Sequence, residues 1–279
     1  MKIFAKKKMG IAFGGGATRG LAHIGAIKVF QQHNIEFDFV AGNSAGSLVG
    51  AFYAAGFSWE EMYAIAKKMT VSDILGLNLK RKGLFRSAKL EIFIKQYLGE
   101  LTFSDLKKPF RCVAVNLIDG ELVELSSGSV ARAVRASCSV PGVFSPTPIE
   151  HMLLVDGGIL NSVPGDVVKR MGADFAVAIN LNSDRGQLVP PKSGFDVLWS
   201  GFKIAWNENT IQRLEDVDVI IAPDLKKYTY YDLKHMDSMI QAGEEATLSK
   251  LKEITKTKIQ ISSKFQTSNS KKQINHNFK

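Results

Sequence analysis

Three apolar runs of four or five residues each end in a glycine-marked turn, and this repeated ending constrains the fold most. Gly10–Phe13 runs into Gly14-Gly15-Gly16, Phe37–Ala41 into Gly42-Asn43-Ser44-Ala45-Gly46, and Met152–Val155 into Asp156-Gly157-Gly158. Between the first two, Leu21–His33 carries Leu21, Ile24, Ile27 and Val29 close to a 3.6-residue period, which predicts a helix. A strand, a turn, a helix and a second strand within about 35 residues make a βαβ unit, so the sheet is at least partly parallel.

The rest of the chain keeps this alternation. Ser47–Ala55 reads as a small-residue helix, and Ser58 with Glu61 three residues on is a capping box that opens another. Helices are expected at Ala88–Leu98 (capped by Ser87), Val130–Ala136, Val163–Met171 and Met239–Ile254. Arg111–Leu117 and Glu121–Leu125 form a strand pair about the Asp119-Gly120 turn. Pro141, Pro146 and Pro148 mark an irregular loop, and Phe175–Asn180 and Val217–Ala222 are further strands. The predicted fold is a three-layer α/β/α sandwich with a central, mostly parallel sheet. It forms one domain over residues 1–255, followed by a basic polar tail at 256–279 that is expected to be disordered.

Composition narrows the function. A chain of 279 residues with 45% hydrophobic and 23% charged residues is globular rather than disordered or fibrous. The two cysteines, Cys112 and Cys138, form no CxxC pair and fit a reducing compartment. Five scattered histidines and no His/Cys cluster argue against a zinc site; no cofactor is expected. No apolar run reaches the ~18 residues of a membrane span. Met9–Phe13, after the basic start, is too short for the ~7–15-residue core of a signal peptide. A cytoplasmic protein is expected, with membrane contact at most peripheral. Six of the nine net positive charges are lysines in Lys256–Lys279, a stretch without acids. The basic balance therefore belongs to a solvated tail and does not indicate nucleic acid.

The turns at the strand ends are where open α/β sheets build sites. Gly14–Gly20 opens a helix with exposed backbone N–H groups, which suit either a dinucleotide phosphate or the oxyanion of acyl transfer. The dinucleotide fingerprint GxGxxG fails in both registers: its third glycine falls on Arg19, or its middle one on Ala17. The plain alternative is a packing turn. Gly42–Gly46 is a GxSxG nucleophile elbow, which places Ser44 at a strained strand-to-helix turn. Chance alone gives about 0.2 such patterns in a chain of this composition. Asp156 ends a strand and could be a base, although Asp-Gly is also a common turn. His235 follows Asp156 in the order Ser, acid, His, but nothing near it forms a catalytic loop. It reads as a surface residue, and His23 and His151 as structural or exposed.

Taken in order, Gly14–Gly25, Gly42–Gly46, Asp156–Gly158 and the Ala136–Phe144 loop resemble the patatin-like phospholipase family, over about Gly10 to Asn180. The resemblance implies a Ser–Asp dyad without histidine, with Ser44 as nucleophile and Asp156 as base. It implies an oxyanion hole from the N–H groups of Gly14, Gly15, Gly16 and Ala45. Arg19 would order the glycine turn or add positive potential, and Gly42, Gly46, Gly157 and Gly158 would support the site. Asp-Gly-Gly stands where many relatives have Asp-Gly-Ala, a variation within the family. The implied reaction is hydrolysis of an acyl lipid or phospholipid through an acyl-Ser44 intermediate.

Two further expectations concern substrate access. Asp73–Lys89 mixes leucines with four basic residues between Lys80 and Arg86, which suits a lid over the site or a contact with a membrane surface. Phe52, Tyr53, Phe57 and Trp59 are candidates to line an acyl pocket or to fill the core. Alternatives left open are a thioesterase or peptidase on the same dyad, a nucleotide-binding protein, and a non-catalytic lipid-binding module.

Overall fold

The computed structural model describes residues 7–70, 88–183 and 194–274. The sequence MGIAF in β1 (Met9–Phe13) is buried at every position, as a strand covered on both faces must be. It pairs in parallel with β2 (Phe39–Gly42) and β7 (Phe175–Ile179). β3 (Phe110–Asn116) joins β2 and β8 (Val219–Ile221) joins β7, both in parallel. The far side is antiparallel: β4 (Leu122–Leu125) and β6 (Met152–Asp156) pair with β3, and β5 (Thr147–Ile149) with β6. The order is β5-β6-β3-β2-β1-β7-β8, with β4 on β3. The expected mostly parallel sheet is present, with helices on both faces.

Strand alternation divides the core in two. Ile11, Phe13 and Val40 pack in the larger cluster, against α1 (Ala22–Gln32), α2 (Ala45–Ala55), α3 (Trp59–Lys68), α4 (Ala88–Leu98) and α5 (Val130–Ser137). The smaller Ala12, Ala41, Val113 and Ala178 face Val167 and Val168 of α6 (Gly165–Arg170). The Ser58–Glu61 capping box is formed at the start of α3.

Some elements depart from the sequence reading. β5 occupies part of the expected irregular loop, where Pro148 is tolerated near the sheet edge because it need not donate to a neighbour. Periodicity does not predict α7 (Gly194–Arg213): its buried Trp206 and exposed Val197, Ile204 and Ile211 do not form one apolar stripe facing the core. α8 (Met236–Ile274) continues past Ile254 into the segment read as a disordered tail, and no glycine or proline between Thr255 and Ile274 interrupts it. The lid or membrane segment lies almost wholly outside the described residues, as does the Ser87 cap. No helix among the described residues is long and apolar enough to cross a membrane.

Candidate active site

Topology brings the serine elbow and the aspartate together. β4 pairs with Cys112–Val115 on one edge of β3, so β2 and β6 share the other edge. There Gly42 pairs with Cys112 and Asp156 with Ala114. The two strands meet carboxyl end to carboxyl end across two residues of β3, about 7 Å at the strand rise. Ser44 leaves one end and Asp156 closes the other.

Ser44 has φ 51° and ψ −125°, a state that costs about 1–3 kcal/mol for a residue with a side chain. Its surroundings hold it there. The Ser44 N–H donates to Ser137 Oγ at 3.0 Å, and its carbonyl accepts the Ser47 hydroxyl at 2.6 Å. A Cβ on Gly42 would lie 2.5 Å from the Gly46 carbonyl oxygen, and one on Gly46 would strike the carbonyls of Phe13 and Gly14. Both elbow glycines are required by close backbone approach.

Asp156 is fully buried. Its Oδ1 accepts the Gly158 N–H at 2.8 Å, while Oδ2 has no partner of hydrogen-bond geometry among the described residues. Burial pushes the pKa from 3.8 up to about 6; the Ser44 hydroxyl, the Gly158 N–H and the Asn43 side chain pull it back down. The Ser44 hydroxyl and the Asn43 amide are thus close enough to favour the ionised carboxylate without forming a well-aligned bond to Oδ2. Asn43, to which the sequence analysis assigns no role, is itself fully buried, and neither amide atom has a hydrogen-bond partner among the described residues. It is wedged between turns: a Cβ on Gly15 would stand 2.7 Å from its Nδ2, and one on Gly157 2.7 Å from its Oδ1.

The glycine turn corrects one expectation. The resemblance assigns the N–H groups of Gly14, Gly15 and Gly16 to an oxyanion hole, yet two of them are committed within the fold. Gly14 N–H donates to the Ile179 carbonyl and Gly15 N–H to the Ser162 carbonyl, each at 3.0 Å. The turn still runs beside β7 and the segment after β6, so these donors complete the backbone network. Among the described residues no such bond engages the N–H of Gly16 or Ala45.

Arg19 is buried and reaches chain segments after β7 and β8. Its Nε and Nη2 donate to the Tyr228 carbonyl at 3.1 and 3.0 Å, and Nη1 to Asn182 Oδ1 at 3.3 Å. The guanidinium lies 4.6 Å from the centre of the Tyr230 ring. Asn182 Nδ2 returns a bond to the Gly15 carbonyl at 2.9 Å. These contacts tie the start of the first helix to the segments after β7 and β8. His23 braces the glycine turn, through Nε2 and the Gly14 carbonyl at 2.8 Å. A carbonyl only accepts, so Nε2 carries the proton, and burial lowers the pKa from 6.5 to about 4, which keeps the ring neutral. His151 and His235 are exposed, and His235 binds Asp232 at 2.7 Å.

Ser44 opens into an apolar cavity of about 190 Å³. Leu48, Val49 and Phe52 of α2 form one wall, Met62 and Ile65 of α3 and Phe93 of α4 others, and Trp206 and Tyr231 contribute further lining. Of the four aromatics proposed for this role, Phe52 lines the cavity. Tyr53 packs edge-on to Phe13, Phe57 packs edge-on to Phe52, and Trp59 sits under Lys28. Cys138 also lines it; burial raises its thiol, and that of the buried Cys112, above the ordinary range. Trp206 left no signal in the sequence, because α7 was not expected.

The Patatin-like phospholipase family profile matches residues 11–168. An uncharacterized NTE family protein of Mycobacterium tuberculosis is 33% identical over 178 residues, covering 63% of this chain and 49% of that protein. Lysophospholipase NTE1 of Scheffersomyces stipitis is 27% identical over 212 residues, covering 74% of this chain and 14% of that one. The chain therefore spans about half the length of the mycobacterial relative and a small part of the yeast one. The crystal structure of VipD from Legionella pneumophila superposes with a TM-score of 0.64 at 14% identity, over 89% of this chain and 67% of that chain, a likeness of fold. With more than half of its length matched by the profile, the chain belongs to the patatin-like phospholipase family.

Proposed function

We propose that this chain is a serine acyl hydrolase that cleaves the acyl ester of a lipid, with Ser44 as nucleophile and Asp156 as base. The observation that carries the reading is the meeting of a strained elbow serine, which lines an apolar cavity, with a buried aspartate of raised pKa. A carboxylate is a weak base for a hydroxyl, but a raised pKa brings it closer to the working pH. The Asp156 carboxylate takes the Ser44 Oγ proton as Oγ bonds to the acyl carbon. The N–H groups of Gly16 and Ala45 hold the developing oxyanion, where one donor contributes about 2.7–4 kcal/mol. The proton passes to the departing alcohol, leaving acyl-Ser44. Water, deprotonated by Asp156, then attacks the acyl carbon; the bond to Ser44 Oγ breaks, Oγ takes the proton back from Asp156, and the fatty acid leaves. The family and the name of the yeast relative favour a phospholipid or lysophospholipid substrate.

The test is hydrolysis of lysophosphatidylcholine and of a p-nitrophenyl ester, with products identified by mass spectrometry. Ser44→Ala and Asp156→Asn are each expected to lower kcat/KM by at least about a thousandfold while leaving a folded protein. Near-normal turnover by either variant would refute the assignment.

A further inference from the structure

Resting on the hydrolase reading, we propose that Phe52 and Phe93 form the far end of the cavity and so set the longest acyl chain the site accepts. Ser44 caps α2, and the α2 residues facing the cavity are Ala45, Leu48, Val49 and Phe52. They make one stripe along the helix. At 1.5 Å per residue, Leu48 lies about 6 Å and Phe52 about 12 Å along the axis from Ser44. α2 ends three residues later, at Ala55, and the chain reverses at Gly56 in the left-handed conformation. Phe52 is thus the last α2 side chain that a chain extending from acyl-Ser44 meets.

What stands behind Phe52 makes it a floor. Its ring packs edge-on to Phe57 at 5.0 Å and to Tyr97 at 6.3 Å, and Phe93 packs on Tyr97 at 5.2 Å. Phe52 and Phe93 line the cavity; Phe57 and Tyr97 do not. The two phenylalanines therefore separate the cavity from an aromatic cluster that holds their rings in place. Aromatic rings locked by edge contacts yield little to an advancing methyl group, because dense cores resist added volume. A chain that reaches them must stop or leave the cavity.

The test is the dependence of kcat/KM on acyl length, measured with p-nitrophenyl esters from butyrate to palmitate. Truncating Phe52 opens the space in front of Phe57 and Tyr97. Phe52→Leu and Phe52→Ala are expected to move the optimum to longer chains and to raise the ratio of long-chain to short-chain kcat/KM by at least tenfold. Each methylene newly buried is worth about 0.8 kcal/mol, so two or three suffice. Leu48→Trp, halfway along the stripe, should move the optimum to shorter chains and lower that ratio by at least tenfold. Phe52→Leu and Leu48→Trp keep the test usable if Phe52→Ala does not fold. Wild-type hydrolysis with an unchanged length profile in these variants would overturn the floor while leaving the hydrolase reading intact. Failure of the wild type at every chain length would remove both.

Discussion

Asp156 carries the site's main energetic conflict. Its side chain is fully buried and its pKa is raised from 3.8 to about 6. The native state therefore binds this proton more tightly than the unfolded chain does. Below pH 3.8 both states are protonated and burial of the carboxyl is not penalised. As pH rises through 4 to 6 the unfolded chain ionises first, and native stability falls; above 6 the penalty is constant, on the order of 3 kcal/mol. Asp156→Asn keeps an oxygen for the Gly158 N–H and removes the charge. It is expected to raise thermal stability at pH 7 by about 2–3 kcal/mol, with the gain vanishing below about pH 4, in the same variant that loses hydrolysis. Thermal unfolding of both proteins at pH 4 and pH 7 checks this; an equal or lower Tm at pH 7 would contradict it. The conflict was half legible in sequence: the Asp-Gly-Gly turn marked the aspartate, but its burial follows from the antiparallel pairing of β6, which no local pattern encodes.

At the scale of elements, α1 and α8 cross on glycines. A Cβ on Gly25 would strike the Ile240 carbonyl and lie 2.8 Å from the Glu244 nitrogen. A Cβ on Gly243 would strike the Ala22 carbonyl. The two backbones pack directly on each other, and α1 follows the glycine turn that His23 braces. Because the obstacles are backbone atoms, a side chain at either position must force the helices apart. Gly25→Val is expected to cost more than the ~1–3 kcal/mol of ordinary overpacking, read as a fall in the denaturation midpoint, and to lower activity through the displaced turn. A midpoint within error of the wild type would contradict the close crossing. α1, with its apolar period, and α3, with its Ser58–Glu61 capping box, were legible from sequence. α7 was not, because its exposed isoleucines and buried tryptophan do not share one apolar face.

Across the whole molecule, the site gathers residues from most of the chain: the turns at 14–19 and 42–47, the loop at 137–139, Asp156, Trp206 and the segment at 228–230. The elbow serine, the strand-end aspartate and the glycine turn were readable because the patterns that carry them demand particular residue types. The partners of that turn were not readable, because Ile179, Ser162 and Tyr228 serve it through carbonyls that any residue offers. For that reason the donors at Gly14 and Gly15 looked open in sequence and are closed in the fold. The most direct test of the central claim is covalent labelling with a fluorophosphonate, the adduct located by peptide mass spectrometry across a range of pH. A single adduct on Ser44 is expected, forming at a rate that rises through about pH 6 and falls at least a hundredfold in Asp156→Asn. An adduct elsewhere, or Ser44 labelling as fast without the Asp156 carboxylate, would contradict it.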